Sequence, residues 1–291
     1  MDWSERRTRF RALLAGDRCY HPGSVYDAIS ARIAEDLGFE IGMYSGSVGS
    51  MAVLGAPDLV VLTLTEFAAQ AYRICRAGNL ALLVDADHGY GNALNVRRTV
   101  EELESAGVCA MSIEDTVLPR PYGPSGKPSL IPLEEGVGKM KAALSARQDG
   151  RLVIAGRTSA LAIAGTDEAV RRARAYAAAG VDAIFLAGGL NVAAVEAVSA
   201  AVDIPLILGG GGGGGGALGD LRWLAAHRVR VALQTHAPFS AAVQAVHATL
   251  KALREGVSPA DLEGVAPPEL MRRVTRADSY AAWTRDFLGG E

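Results

Sequence analysis

Eight times along this chain a short apolar run gives way to a longer stretch with helical spacing, and that alternation leaves few folds open. The apolar runs fall at residues 19–22, 39–44, 80–84, 109–113, 152–155, 183–186, 205–208 and 229–233. Helical spacing follows at 24–37, 64–77, 96–106, 133–147, 167–179, 192–201, 218–226 and 239–254, and one more helix, MDWSERRTRFRALLAG, precedes the series. Runs that are apolar throughout are buried on both faces, which is the condition of a parallel sheet covered by helices. Repeated units of this kind predict the α/β class, here a (β/α)8 TIM barrel with additional N- and C-terminal helices; an open doubly wound sheet is the other architecture with this pattern. Gly38, Gly78, Gly107 and Gly180 stand just past four of the helices, where a left-handed cap ends the turn.

A chain of 291 residues that is 49% hydrophobic can bury one large core. We read residues 1–256 as the barrel domain, N-terminal helix included, and 257–291 as a helical extension. Tyr280, Trp283 and Phe287 form a stripe on that extension that needs cover from the barrel or from a neighbouring subunit. The net charge is -3 and the 29 Lys and Arg are scattered, so there is no basic footprint for nucleic acid, and a small, anionic ligand is the better partner. Cys19, Cys75 and Cys109 have no CxxC spacing and read as reduced core residues. The first residues are charged, with neither the apolar centre of a signal peptide nor a membrane-spanning run anywhere, so the expectation is a cytoplasmic protein.

The third run changes character part-way: LALLV at 80–84 is followed by DADHGYGN at 85–92. Carboxylates at the end of an apolar strand are expensive to bury unless a cation or solvent meets them. In a parallel barrel the active site lies at the C-terminal ends of the strands, so the residues after each run should converge. Those are Ser45, Gly46 and Ser47, then Asp85 and Asp87, Glu114, Arg157, and His236 after the last strand. Hard oxygen ligands without Cys or a His pair suit Mg2+, with Mn2+ as the alternative, rather than zinc. An arginine can clamp a carboxylate, and a serine with backbone amides can bind an anionic oxygen.

These segments resemble the isocitrate lyase and phosphoenolpyruvate mutase superfamily. The likeness runs over most of 17–256 and is carried by SGS at 45–47, APD at 56–58, DADHGYGN at 85–92, SIEDT at 112–116 and GRT at 156–158. The resemblance implies a magnesium-dependent barrel acting on keto-acid or hydroxy-acid anions. It places Asp85, Asp87 and Glu114 around the metal with Asp58 in support, Ser45, Gly46 and Ser47 on a substrate carboxylate, and Arg157 on substrate oxygens. It also implies a homotetramer, a dimer of dimers, in which a C-terminal helix is exchanged between subunits.

The departures narrow the activity. Carbon-carbon lyases of the superfamily carry a KKCGH or KRCGH motif after the fourth strand, whereas 118–130 here reads LPRPYGPSGKPSL, with no cysteine and a single lysine, Lys127. The phosphonate-forming mutases, which use a lysine and an asparagine there, match as poorly. What remains resembles the branch that decarboxylates oxaloacetate, or a close 2-keto dicarboxylate, to pyruvate and CO2 through a metal-stabilised enolate, with His236 as a substrate contact and proton source. Two positions fall short of that branch: Ser159 stands where Asp or Asn follows RT, and eight glycines run from 209 to 216 where a tyrosine is expected. The alternatives are a lyase or carboxyphosphonoenolpyruvate-mutase-like enzyme, or a barrel that binds dicarboxylates without turnover. His88 reads as a hydrogen-bond partner rather than a ligand, and Tyr90 and Asn92 as residues that shape the loop.

Overall fold

In the computed structural model, residues 2–123, 126–210 and 216–289 are described, and the chain forms two compact units, Met1–Thr235 and His236–Glu291. The first unit holds the strands β1 (Gly23–Ser24), β2 (Ile41–Tyr44), β3 (Ala81–Asp85), β4 (Ala110–Glu114), β5 (Val153–Thr158), β6 (Ala183–Ala187), β7 (Leu206–Gly209) and β8 (Val229–Ala232). Each pairs in parallel with the next in sequence order. The ends meet through Tyr20, whose N–H donates to Arg230 O and whose carbonyl accepts from Ala232 N, both at 2.9 Å. The sheet is therefore closed, a (β/α)8 barrel rather than the open alternative.

The first strand differs from its expected span, 19–22. Pro22 has no N–H and interrupts the ladder, so Tyr20 makes the seam with β8 while Gly23 and Ser24 pair with β2. The helix expected from 24 starts correspondingly late. Around the barrel run α1 (Ser4–Ala15), α2 (Ala28–Asp36), α3 (Gly46–Gly49), α4 (Leu64–Cys75), α5 (Ala93–Ser105), α6 (Leu133–Ala146), α7 (Ala160–Ile163), α8 (Thr166–Ala179), α9 (Val192–Ala201) and α10 (Leu221–Ala226). Asp27 caps α2 by accepting from Ser30 N at 2.7 Å, and Thr63–Glu66 and Asn92–Asn95 form reciprocal boxes at the starts of α4 and α5.

Side chains alternate across each strand, so every run supplies two cores. Met43, Leu83, Ala155, Phe185, Ile207 and Val231 pack inside the barrel, while Leu82, Val84, Met111, Ile113, Ile154 and Leu208 pack under the helices. Burying each large side chain contributes roughly 1.5–3 kcal/mol, which is why the runs are apolar without a polar face. The three cysteines are free and buried, and burial pushes the Cys19 and Cys109 thiols up to about 11 and that of Cys75 to about 12.

Helix α1 joins the inner cluster through Phe10 and Leu14. Its arginines satisfy carbonyls at the C-terminal ends of neighbouring helices, where a cation is favoured. Arg6 donates to Cys75 O at 2.7 Å and Gly78 O at 2.8 Å, and Arg7 to Val108 O at 2.9 Å and Glu104 O at 2.5 Å, with Asp149 at 3.0 Å. The second unit comprises α11 (Ala237–Arg254), α12 (Pro268–Thr275) and α13 (Ala277–Leu288); Tyr280, Trp283 and Phe287 are exposed on it. Among the described residues no helix is long and apolar enough to cross a membrane.

Because Arg7 is buried and multiply bonded, Arg7→Met should lower unfolding free energy by about 3 kcal/mol in urea titrations. Arg98→Met, at an exposed pair with Glu102, should change it by less than about 1 kcal/mol.

Candidate active site at the C-terminal rim

Strand alternation alone decides which rim residues face inward. Leu83 points into the barrel, so Asp85 two residues later does too; Ala155 sends Arg157 the same way, and Ala110 sends Ser112 and Glu114. The parallel register sets Asp85 beside Ser112 and Glu114 beside Arg157. Ser112 Oγ donates to Asp85 Oδ1 at 3.0 Å, and Thr116 Oγ1 to Glu114 Oε2 at 2.7 Å. Arg157 Nη1 donates to Asp85 Oδ2, Nη2 lies 3.6 Å from Glu114 Oε2, and the guanidinium carbon is 5.4 Å from the centre of the Phe185 ring. Its buried Nε has no hydrogen-bond partner among the described residues.

The turn after β3 carries Asp87 in the left-handed region, φ 47°, and Tyr90 likewise at 59°. Such backbone costs a non-glycine residue on the order of 1 kcal/mol and persists only where the surroundings hold it. Here Glu114 N donates to Asp87 O at 2.8 Å, Ala86 N to Ser112 O at 3.0 Å, and Thr99 Oγ1 to Gly89 O at 3.0 Å. The Asp87 carboxylate lies against the turn after β2: a Cβ on Gly46 would sit 2.5 Å from both of its oxygens. Ser45, buried, accepts from Val48 N at 3.2 Å and is 2.9 Å from Ser47 Oγ, opening the one-turn α3 whose leading amides have no acceptor within the helix. A five-residue π-helix, Ser50–Leu54, follows, and neither it nor α3 is legible in the sequence spacing.

Three carboxylates thus share the rim with one guanidinium. Burial, and then Asp85 and Glu114, hold Asp87 well above the usual carboxylate range; burial raises Glu114 too, with Arg157 opposing. Burial works against the charge on Arg157, but Asp85 and Glu114 outweigh it and raise its pKa. Exposed Asp58 adds a further negative charge acting on Asp87.

Among the described residues no three acidic, His or Cys side chains stand close enough to ligate one ion directly. Asp85 is drawn onto Arg157, and Asp87 leans on Gly46. The donor set fits a hard divalent cation that keeps most of its water and takes one or two carboxylates directly, the habit of Mg2+, and the excess negative charge is what such an ion would balance.

The other sequence candidates fall as follows. His88 is buried, with its Nδ1 unpartnered among the described residues, and burial followed by Lys139 pushes it down to about 4, so it is neutral. His236 stands at the N-terminus of α11 in the second unit, with no side-chain hydrogen bond to the helix's leading amides. Ser159 is partly buried and opens α7; Lys127 is exposed. Of the glycine tract, residues 211–215 lie outside the described residues, and Gly209 ends β7.

Sequence reasoning missed the residues behind the rim. Asp115 is fully buried, accepting from Arg172 Nη1 at 2.9 Å and Tyr176 Oη at 2.7 Å, while Arg172 Nη2 donates to Ile131 O at 2.9 Å and so ties both ends of the 116–131 segment together. Lys139 is buried on α6. The signal was present: Lys139 falls on the buried stripe Gly136, Lys139, Met140, Ala143, and Arg172 on Ala169, Arg172, Ala173, Tyr176. A cation on an apolar stripe needs a buried partner.

Fold and rim define an α/β barrel with acids and an arginine gathered at the C-terminal ends of its strands. The chain belongs to the phosphoenolpyruvate phosphomutase family, whose profile it matches over residues 10–254. It is 57% identical over 289 residues, 99% of each chain, to an oxaloacetate decarboxylase of Bradyrhizobium diazoefficiens. Among solved structures it superposes on oxaloacetate acetylhydrolase bound to 3,3-difluorooxalacetate with TM-score 0.84 at 28% identity, covering 99% of this chain and 98% of that one. It superposes equally on a phosphonopyruvate hydrolase complex with oxalate and Mg++, TM-score 0.83 at 26% identity, over 97% and 99%.

A raised carboxyl is protonated more readily folded than unfolded, so its contribution to stability is present at low pH and lost as pH rises through the folded value. Asp87→Asn should therefore raise the Tm of the metal-free protein, by an increment that grows from pH 4 to pH 8 in thermal melts.

Proposed function

We propose that this protein is a carboxy-lyase that decarboxylates oxaloacetate, or a close 2-keto dicarboxylate, to pyruvate and CO2 with a divalent cation, Mg2+ or Mn2+. The observation that carries the reading is the rim itself: Asp85, Asp87 and Glu114 crowded around Arg157 with more negative than positive charge. Support comes from the full-length likeness to oxaloacetate decarboxylase.

When bound, the ion supplies Lewis-acid polarisation of a keto oxygen. Asp85, Asp87 and Glu114 would hold it, directly or through water, with Asp58 adding negative charge near Asp87. Ser45, Gly46 and Ser47 receive the C1 carboxylate on hydroxyls and backbone amides. The C3–C4 bond then breaks, CO2 departs, and the electron pair passes to the C2 oxygen as an enolate. Arg157, kept cationic by its carboxylate neighbours, donates to that oxygen. Water returns a proton to C3. No step needs a nucleophile, which agrees with a 118–130 segment that has no cysteine and a single lysine, Lys127.

The same reading takes 1–256 as catalytic barrel and 257–291 as an extension, in a cytoplasmic homotetramer. Free, buried cysteines and the exposed apolar residues Tyr280, Trp283 and Phe287 support those two attributes.

Incubation with oxaloacetate should yield pyruvate above the metal-alone background, and EDTA should abolish the excess; oxalate with acetate instead would select hydrolysis between C2 and C3, and no product would leave only binding. Gly46→Ala should leave Tm nearly unchanged, because the flexible Asp87 carboxylate can swing away, yet lower kcat/KM by about 10²-fold, since misplacing a site group by about 1 Å has that effect. Arg157→Met should lower kcat by about 10²–10³-fold, the scale for a lost oxyanion donor.

A further inference from the structure

We propose that Lys139 is a positioning residue of the acid rim: its ammonium holds the Asp87 turn through the carbonyl of His88 and thereby sets divalent-cation affinity. This rests on the reading of the rim as a cation site.

Lys139 is only 2% exposed, and Nζ donates to His88 O at 2.9 Å. Among the described residues no carboxylate lies within ion-pair distance of it; Glu135, Glu114 and Asp115 act on it from farther off. Taking an ammonium out of water costs several kcal/mol, and Met or Leu on this stripe would pack without that penalty. What an apolar side chain cannot supply is a charged donor to one carbonyl.

That carbonyl occupies a critical place. The peptide linking His88 to Gly89 lies between left-handed Asp87, φ 47°, and left-handed Gly89, φ 78°. Glu114 N grips the turn at Asp87 O, Thr99 Oγ1 at Gly89 O, and Lys139 at the carbonyl between them. Three consecutive carbonyls are thus held from β4, α5 and α6. Releasing the middle one frees the backbone that aims the Asp87 carboxylate, and Asp87 leans on Gly46 with no hydrogen bond to fix it among the described residues.

Charge and position predict opposite signs, which makes the role testable. Removing a nearby positive charge would by itself tighten cation binding. Loosening the turn weakens it, and residues that orient metal-site groups typically account for about 10–100-fold in affinity.

The experiment is Mn2+ titration by calorimetry and electron paramagnetic resonance, without substrate and well below each variant's Tm. Lys139→Met should bind Mn2+ at least about 10-fold more weakly than wild type. Lys139→Arg should recover most of the loss, and Lys141→Met, exposed on the same helix, should match wild type. If Lys139→Met does not fold, Lys139→Gln, which keeps a shorter neutral donor, should still bind more weakly than Lys141→Met. Equal or tighter Mn2+ binding by folded Lys139→Met or Lys139→Gln, with wild type binding normally, overturns the positioning role alone. Absence of binding by wild type overturns the cation reading and this proposal with it.

Discussion

Like charge held together by sheet register is the condition on which the rim depends. Asp85 and Glu114 are carried by adjacent strands whose backbone hydrogen bonds set their spacing, and Asp87 is tied to Glu114 through the main chain. The carboxylates cannot relax apart without breaking ladder bonds. Their repulsion is therefore answered by Arg157, by protonation, or by a cation; burial first, and then the repulsion Arg157 leaves uncompensated, raises the affinity of Asp87 and Glu114 for protons. A site in this condition is predisposed to accept a divalent ion and an anionic ligand together.

The barrel separates that tension from the interactions that hold the fold. At the N-terminal end of the strands, α1 inserts Phe10 and Leu14 into the inner core and satisfies helix-end carbonyls with Arg6 and Arg7. Between the ends lie apolar layers contributed by alternating residues of every strand. Destabilising groups are confined to the opposite rim, where Arg172 and Lys139 reach in from α8 and α6 to hold the segments that carry them. Buried cations here serve geometry more than net stability, since an apolar replacement would avoid the desolvation that each incurs.

Much of this is legible in the amino-acid sequence itself. Strands β2 to β8 each overlap the apolar run expected for them, with only β5 extending as far as three residues beyond its run, to Thr158, because only a sheet covered on both sides tolerates such runs. Asp85, Glu114 and Arg157 were legible for a related reason: a charge placed at the end of an apolar strand has few places to go but the rim. Local spacing failed where backbone chemistry intervened. Pro22 split the first strand, and the turn after β2 coils into α3 and a π-helix with no periodic signature. Lys139 and Arg172 were present on apolar stripes, but what they grip is 51 residues away for Lys139 and 57 for the Asp115 partner of Arg172.

What the sequence determined on its own was the barrel, the end of it that carries chemistry, and the kinds of side chain gathered there, all consequences of periodicity and of the cost of burying charge. Only the tertiary structure decided which acid Arg157 engages, that Asp87 rests on Gly46 in place of a Cβ, and which strands set Asp85 beside Ser112 and Glu114 beside Arg157. Those are distances between strands, fixed by register and by the twist of a closed sheet, and no pattern along a single chain encodes them locally.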